Sequence, residues 1–197
     1  MLRSTPSLVL AALLILAPIA ASLAQDYEAG VKAYNRGDYS AALKHWKPLA
    51  DKGNAQAQHY LGLMYTQGFG LPKDHAKAVA WFKKAAQAGH IPAAYNLGFR
   101  YLRGEGVRQN AKAGAHWIRR AAGAGLVPAQ HTLGLLYANG DGVPRDYVQA
   151  YLWLSLSANR KNRIAEKDRD TIAKRMTVDQ LRRAKALVAK WQPDPPR

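Results

Sequence analysis

Between residues 57 and 153 the chain repeats itself every 36 residues, and this period decides what it can fold into. Leu61-Gly62, Leu97-Gly98 and Leu133-Gly134 hold equivalent places, as do Tyr65, Tyr101 and Tyr137. Gly68, Gly104 and Gly140 follow, then Gly70, Gly106 and Gly142, then Asp74, Asn110 and Asp146. Trp81, Trp117 and Trp153 complete the set. A fixed period of this length marks an array of small units, each burying its apolar side against the next. Val and Ile are sparse beside Ala and Leu, so the units are not built of strands.

Each unit reads as two helices. Ala57, Leu61 and Tyr65 lie at i, i+4 and i+8, one stripe of a first helix. Gly62 beside that stripe lowers helix propensity, and the return is close approach of a neighbouring helix. The Gly-x-Gly pair ends the helix, and Asp74 and Asp146 stand at the N-cap of a second one. The second helix is expected to send Ala78, Trp81 and Ala85 into the core. The same reading puts Trp117 and Trp153 in the core.

The pattern divides the chain. Residues 26–53 form an earlier unit with a shorter turn at Gly37-Asp38, and three full units span 54–90, 91–126 and 127–159. After Trp153 the repeat stops. Ile164, Asp168, Ile172 and Met176 keep helical spacing, and Thr177 with Gln180 forms a capping-box pattern. That box opens a last helix with Leu181, Ala184, Val188 and Trp191 on its buried side. Residues 160–192 are thus expected to be terminal capping helices, and 193–197 a disordered tail. At the other end, Arg3, the apolar run Leu8–Leu16 and Ser22-Leu23-Ala24 follow the order of a secretory signal peptide over residues 1–24. Cleavage after Ala24 would place the rest in the periplasm or outside the cell. No later segment approaches the roughly 20 apolar residues of a membrane span.

The repeated residues resemble the Sel-one-like repeat family, a branch of the tetratricopeptide-like α-solenoids. The carriers are A-x3-LG-x2-Y-x2-G-x-G followed by an Asp or Asn, a helical Ala and the Trp, at Ala57–Ala85, Ala93–Ala121 and from Ala129 onward. The unit at 26–53, with Gly37-Asp38-Tyr39, is closer to a tetratricopeptide repeat. Asn110 and Gly114 in the middle unit, and Ser157 in the last, depart from the pattern. The resemblance implies an all-α, right-handed solenoid of antiparallel helix pairs with a concave groove. Family members are mostly non-catalytic scaffolds that bind proteins or peptides, and exported bacterial members are often tied to envelope functions or signalling.

In such arrays the first helix of each pair lines the groove. The family positions carry over to His59 and Leu63 in the first full unit, to Tyr95, Phe99 and Arg103 in the second, and to His131, Leu135 and Asn139 in the third. The early unit adds Lys32, Asn35 and Arg36. An apolar and aromatic strip flanked by basic groups suits an extended or helical peptide, and also a glycan strand whose sugar faces stack on aromatics. Leu63, Phe99 and Leu135 could equally be packing between helices.

Charge narrows the partner. The chain carries 29 Lys and Arg against 13 acids, net +16, so an electrostatic partner is anionic. The C-terminal segment is densest, with Arg160, Lys161, Arg163, Arg182 and Arg183 forming a candidate patch for an envelope polymer such as peptidoglycan or lipopolysaccharide. Export argues against nucleic acid. With no Cys there is no disulfide, thiolate nucleophile or Cys-ligated metal, and the six His include no His-x3-His pair. No catalytic motif, metal site or cofactor is expected from the residues. The groove reading predicts a scaffold; the basic excess makes a polymer binder the rival.

Overall fold

A computed structural model describes residues 25–194; the segment read as a signal peptide and the last three residues lie outside them. Among the described residues there are ten helices and no strand. They are α1 (residues 25–35), α2 (Tyr39–Asp51), α3 (Ala55–Gln67), α4 (His75–Gln87), α5 (Ile91–Arg103), α6 (Ala111–Gly123), α7 (Val127–Asn139), α8 (Tyr147–Ala158), α9 (Arg163–Ala173) and α10 (Val178–Lys190). From α2 to α9 each helix packs on its sequence neighbour, so the pairs stack in chain order into an all-α solenoid.

The repeated Gly of the first helix explains how tightly each pair closes. A Cβ on Gly62 would sit 2.5 Å from Phe82 Cε1, one on Gly98 2.8 Å from Ile118, and one on Gly134 2.6 Å from Leu154. Phe82, Ile118 and Leu154 are fully buried, at 0% exposure, and the missing side chains make their room. In the first unit Gly30 meets the ring of Trp46, which is likewise fully buried. The indole Nε1 donates to the Tyr27 carbonyl at 3.2 Å, so this polar edge is not stranded in the core.

Here the structure corrects the sequence reading. The deepest side chain of each second helix stands one residue after the repeated Trp. Trp153 is buried and meets Trp191 edge-on at 6.3 Å, but Trp81 and Trp117 are only half-buried. Lys84 Nζ lies 4.3 Å from the Trp81 ring centroid and the Arg120 guanidinium 5.7 Å from that of Trp117. Each indole therefore keeps one part at the surface under a cation. Ala78 and Ala85 are in the core as expected.

The loops repeat for a second steric reason. The N–H of Asp74, Asn110 and Asp146 donates to the carbonyl of Tyr65, Tyr101 and Tyr137 at 2.8–2.9 Å and closes each loop. The same residues then cap the next helix through their side chains. The backbone bond from Lys77 holds the Asp74 carboxyl below the usual carboxylate range. Gly106 and Gly142 have φ of +75° and +70°, and a Cβ on either would lie 2.1 Å from the carbonyl oxygen of His75 or Ala111. Glycine is required there because the loop of one unit rests on the helix start of the unit before it.

At the C-terminal end α9 stacks on α8, and α10 also has α8 as its main partner. The capping box at Thr177 and Gln180 is present in full. Ala184 is buried and Leu181, Val188 and Trp191 are half-buried, as the stripe predicts. Ile172 is buried but Ile164 is 65% exposed, so the first position of the α9 stripe faces solvent. Residues 193 and 194, read as tail, lie against the end of α6, where the Asp194 N–H donates to the Gly123 carbonyl at 2.9 Å. Gly123 leaves the space that this contact uses.

Candidate partner-binding groove

The first helices α3, α5 and α7 carry the expected column, and side-chain contacts join one unit to the next along it. His59 on α3 accepts at Nε2 from Asn96 Nδ2 on α5 at 3.0 Å. Burial, with a smaller contribution from the nearby His90, pushes the His59 pKa down to about 4, so the ring is neutral and free to accept. His90 itself caps α5 by accepting the Ala93 N–H at Nδ1. His131 on α7 meets Asp168 on α9 at 2.7 Å, in the same register as the His59–Asn96 contact. Thus α9 holds the place of a first helix in a further unit, and the two His residues tie units together.

Tyr95, between those His residues in register, makes no such tie. Its ring meets Phe99 edge-on at 5.0 Å, and the Arg103 guanidinium lies 5.4 Å from the Phe99 centroid. These three residues line an open cleft of about 280 Å³ together with Asn96, Arg100 and Glu105. Leu63 and Leu135 are half-buried beside the core rather than sealed within it. Lys32, Asn35 and Arg36 are exposed near the end of α1, and Asn139 is exposed with its amide 3.3 Å from Asp141. None of these lines the cleft.

Asn96, Arg100 and Glu105 are the lining residues the sequence reading missed. The Arg100 side chain is 12% exposed and is held from three sides. It pairs with Glu105, donates to Thr66 Oγ1 at 3.1 Å and lies 3.2 Å from His75 Nδ1. Thr66 in turn donates to the Gly62 carbonyl at 2.8 Å. Glu105 also faces Arg103 at 3.7 Å. In the neighbouring units the position of Arg100 is Met64 and Leu136, both buried. The break in the 36-residue register was the available signal: one cation where the equivalent residues are apolar. Chemically the cleft offers two aromatic rings, an amide and two guanidiniums around one carboxylate, groups that can stack on and hydrogen-bond a ligand.

The candidate basic patch falls on two elements. Arg160, Lys161 and Arg163 are exposed at the turn into α9, whereas Arg182 and Arg183 are exposed on α10. Arg182 is already paired with Asp179 at 2.7 Å. No helix among the described residues is long and apolar enough to cross a membrane.

Stacked helix pairs around a lined cleft, with the repeat as their ground plan, define a helical-repeat scaffold. Comparison with known proteins gives the family. The Sel1 repeat pattern matches residues 20–54, 55–90, 91–126 and 127–162, and the chain belongs to the Sel1 repeat family, whose members are generally protein-interaction scaffolds and typically non-catalytic. The first match includes the unit that resembles a tetratricopeptide repeat. The fold is similar to that of a Sel1 repeat protein from Oxalobacter formigenes, with a TM-score of 0.70 and 29% identity over 73% of this chain and 59% of that one. It is also similar to a protective antigen present in uropathogenic Escherichia coli strains, which displays an SLR fold. That match has a TM-score of 0.58 and 33% identity over 77% of this chain and 40% of the other. This chain therefore spans little more than half of the first neighbour and less than half of the second. No curated protein matches the sequence.

Proposed function

We propose that this protein is an exported, non-catalytic adaptor that binds a protein or peptide in its groove, with the cleft of the middle unit as the anchor. The observation that carries this reading is the cleft of about 280 Å³ lined by Tyr95, Asn96, Phe99, Arg100, Arg103 and Glu105. Its rings are half-buried, so they are positioned by the core yet present a face to a ligand. Arg100 is fixed by contacts to α3 and to the loop after α5. A site whose side chains are already ordered loses less entropy on binding than one that must be assembled. The segment order of residues 1–24 supports export, and both solved proteins that the fold resembles are bacterial.

The test is a pull-down from envelope extract with the protein beside a Tyr95→Ala/Phe99→Ala variant. A discrete protein retained at high salt and lost with the variant is the expected result. Equal capture by both baits would remove the cleft as the anchor. The helical circular dichroism and Tm of the variant show whether the array is still folded.

A further inference from the structure

The second helices of the units form a face of their own, and its charge is one-sided. α4 and α6 carry Lys77, Lys83, Lys84, Lys112, Arg119 and Arg120 and not one acidic residue. α2 adds Lys44 and Lys47 against Asp51, which Lys47 pairs at 2.5 Å. Lys77 pairs with Asp74 at 3.3 Å. Asp194 reaches the far end of α6 at Gly123. Among the described residues Lys83, Lys84, Lys112, Arg119 and Arg120 have no carboxylate within ion-pair distance, although Arg119 donates to the Tyr137 hydroxyl at 3.1 Å.

These cations are in register. Lys47, Lys83 and Arg119 are separated by the repeat length, and so are Lys84 and Arg120. Lys47 of α2 reaches to 5.9 Å from the Trp81 ring of α4, so adjacent second helices are neighbours in space. The half-buried indoles hold the cations at fixed places: Lys84 over Trp81, Arg120 over Trp117. At the last unit the pattern ends. Ser155 and Leu156 replace the two cations, both are buried, and α10 covers Trp153 through Trp191. The charged face thus belongs to α2, α4 and α6 alone.

We infer that this face binds a linear anionic polysaccharide, its carboxylate or other acidic groups meeting the cation rows of successive units. The partner must be anionic because the face offers unpaired cations and no uncompensated acid on α4 or α6. A regular polymer fits a row of charges that recurs with the structural repeat better than an irregular acidic protein surface does. A nucleic acid is disfavoured on this face, since Lys84 and Arg120 already lie over the indole rings on which bases would stack. The inference does not rest on the groove, which lies on the first helices.

The measurement is binding of the purified protein to long polygalacturonate, with neutral dextran and single-stranded oligothymidylate beside it. Two variants remove the same charge from different places: Lys83→Gln/Lys84→Gln/Arg119→Gln/Arg120→Gln, and Arg160→Gln/Lys161→Gln/Arg163→Gln/Arg183→Gln. The expected result is that polygalacturonate binds and dextran does not. The first variant should weaken binding about tenfold or more and flatten its salt dependence, because counterion release scales with the contacts made. The second should change affinity by less than about threefold, having lost only long-range attraction. Equal loss in both variants would show that net charge alone is at work. The inference also fails if polygalacturonate does not bind, or if the oligonucleotide binds more tightly and is lost with the same variant. Lys83→Gln/Lys84→Gln, which touches neither Tyr137 nor the core, repeats the comparison should the fourfold variant lose its helical signal. It is expected to weaken binding in the same direction.

Discussion

Met64, Arg100 and Leu136 occupy one position in three successive units, and they divide the molecule into two kinds of region. Met64 and Leu136 are buried apolar side chains like their neighbours in the array. Arg100 sits in the same register, keeps the same backbone, and turns the position into a polar cluster with Thr66, His75 and Glu105. What repeats builds the solenoid; what breaks the repeat builds the cleft. The cleft differs from its neighbours by substitutions at single positions of an array whose packing is carried elsewhere.

That division predicts where damage is greatest. Phe82→Ala should cost about 3–5 kcal/mol, the usual range for truncating a fully buried aromatic. Phe82 has no exposed surface and fills the space above Gly62, so the cavity has no side chain to close it. Urea unfolding at neutral pH measures this. A midpoint close to that of the unaltered protein would mean that the seam between α3 and α4 is not what holds the pair.

Acid should strike the junction between units. His59 titrates near 4 in the folded protein and at about 6.5 when unfolded, because burial and the neighbouring His90 oppose its charge. Its neutral form is favoured by folding, so its contribution is complete above pH 6.5 and is lost as pH falls toward 4. The unfolded chain binds the proton first, and the loss amounts to at most about 3 kcal/mol. His59→Gln keeps a polar partner for Asn96 and removes the titration. Unfolding free energies at pH 7 and pH 5 should differ less in the variant than in the protein itself; an equal difference in both would assign the acid sensitivity to other groups.

Trp117→Ala should fall well below Phe82→Ala, at about 2 kcal/mol, since a half-buried ring loses only part of its transfer energy. A loss as large as that for Phe82 would restore the indole to the core. This is also where sequence and structure part. The helix pairs, their caps at Asp74 and Asp146, and the capping box at Thr177 follow from local chemistry and are legible in the sequence, while Asn110, read as a departure from the pattern, caps α6 in the same way. Which residue of a second helix is deepest depends on how the helix is rotated against Gly62 and its equivalents, and one residue of rotation exchanged Trp81 for Phe82. The family pattern places Tyr95, Phe99 and Arg103 on a first helix, and the structure gathers them at one cleft. Lys32, Asn35 and Arg36 were carried by the same rule onto α1, where they stay away from that cleft. Arg100 went unseen because the register marks its place as core, and only its contacts to two other helices and a loop show why a cation is stable there.

The smallest effect on stability should come from the substitution that erases the difference altogether. Arg100→Met gives the middle unit the residue of the unit before it. A long apolar side chain of similar reach fills the position, and the desolvation cost of a guanidinium that is only 12% exposed disappears with its charge. Glu105 is 38% exposed at its side chain and can turn to water or to Arg103, so it is not left buried and alone. Replacing a paired, largely buried cation by a packed apolar residue is often neutral or stabilising, and the expected change is within about 1 kcal/mol of zero. Binding should not be spared in the same way. Glu105 loses the group that fixes it, the cleft loses its most rigid donor, and capture of the groove partner should fall while the melting curve stays in place. Loss of several kcal/mol with Met would instead make the Arg100 cluster part of the scaffold, and the repeated and unrepeated positions would no longer separate fold from site.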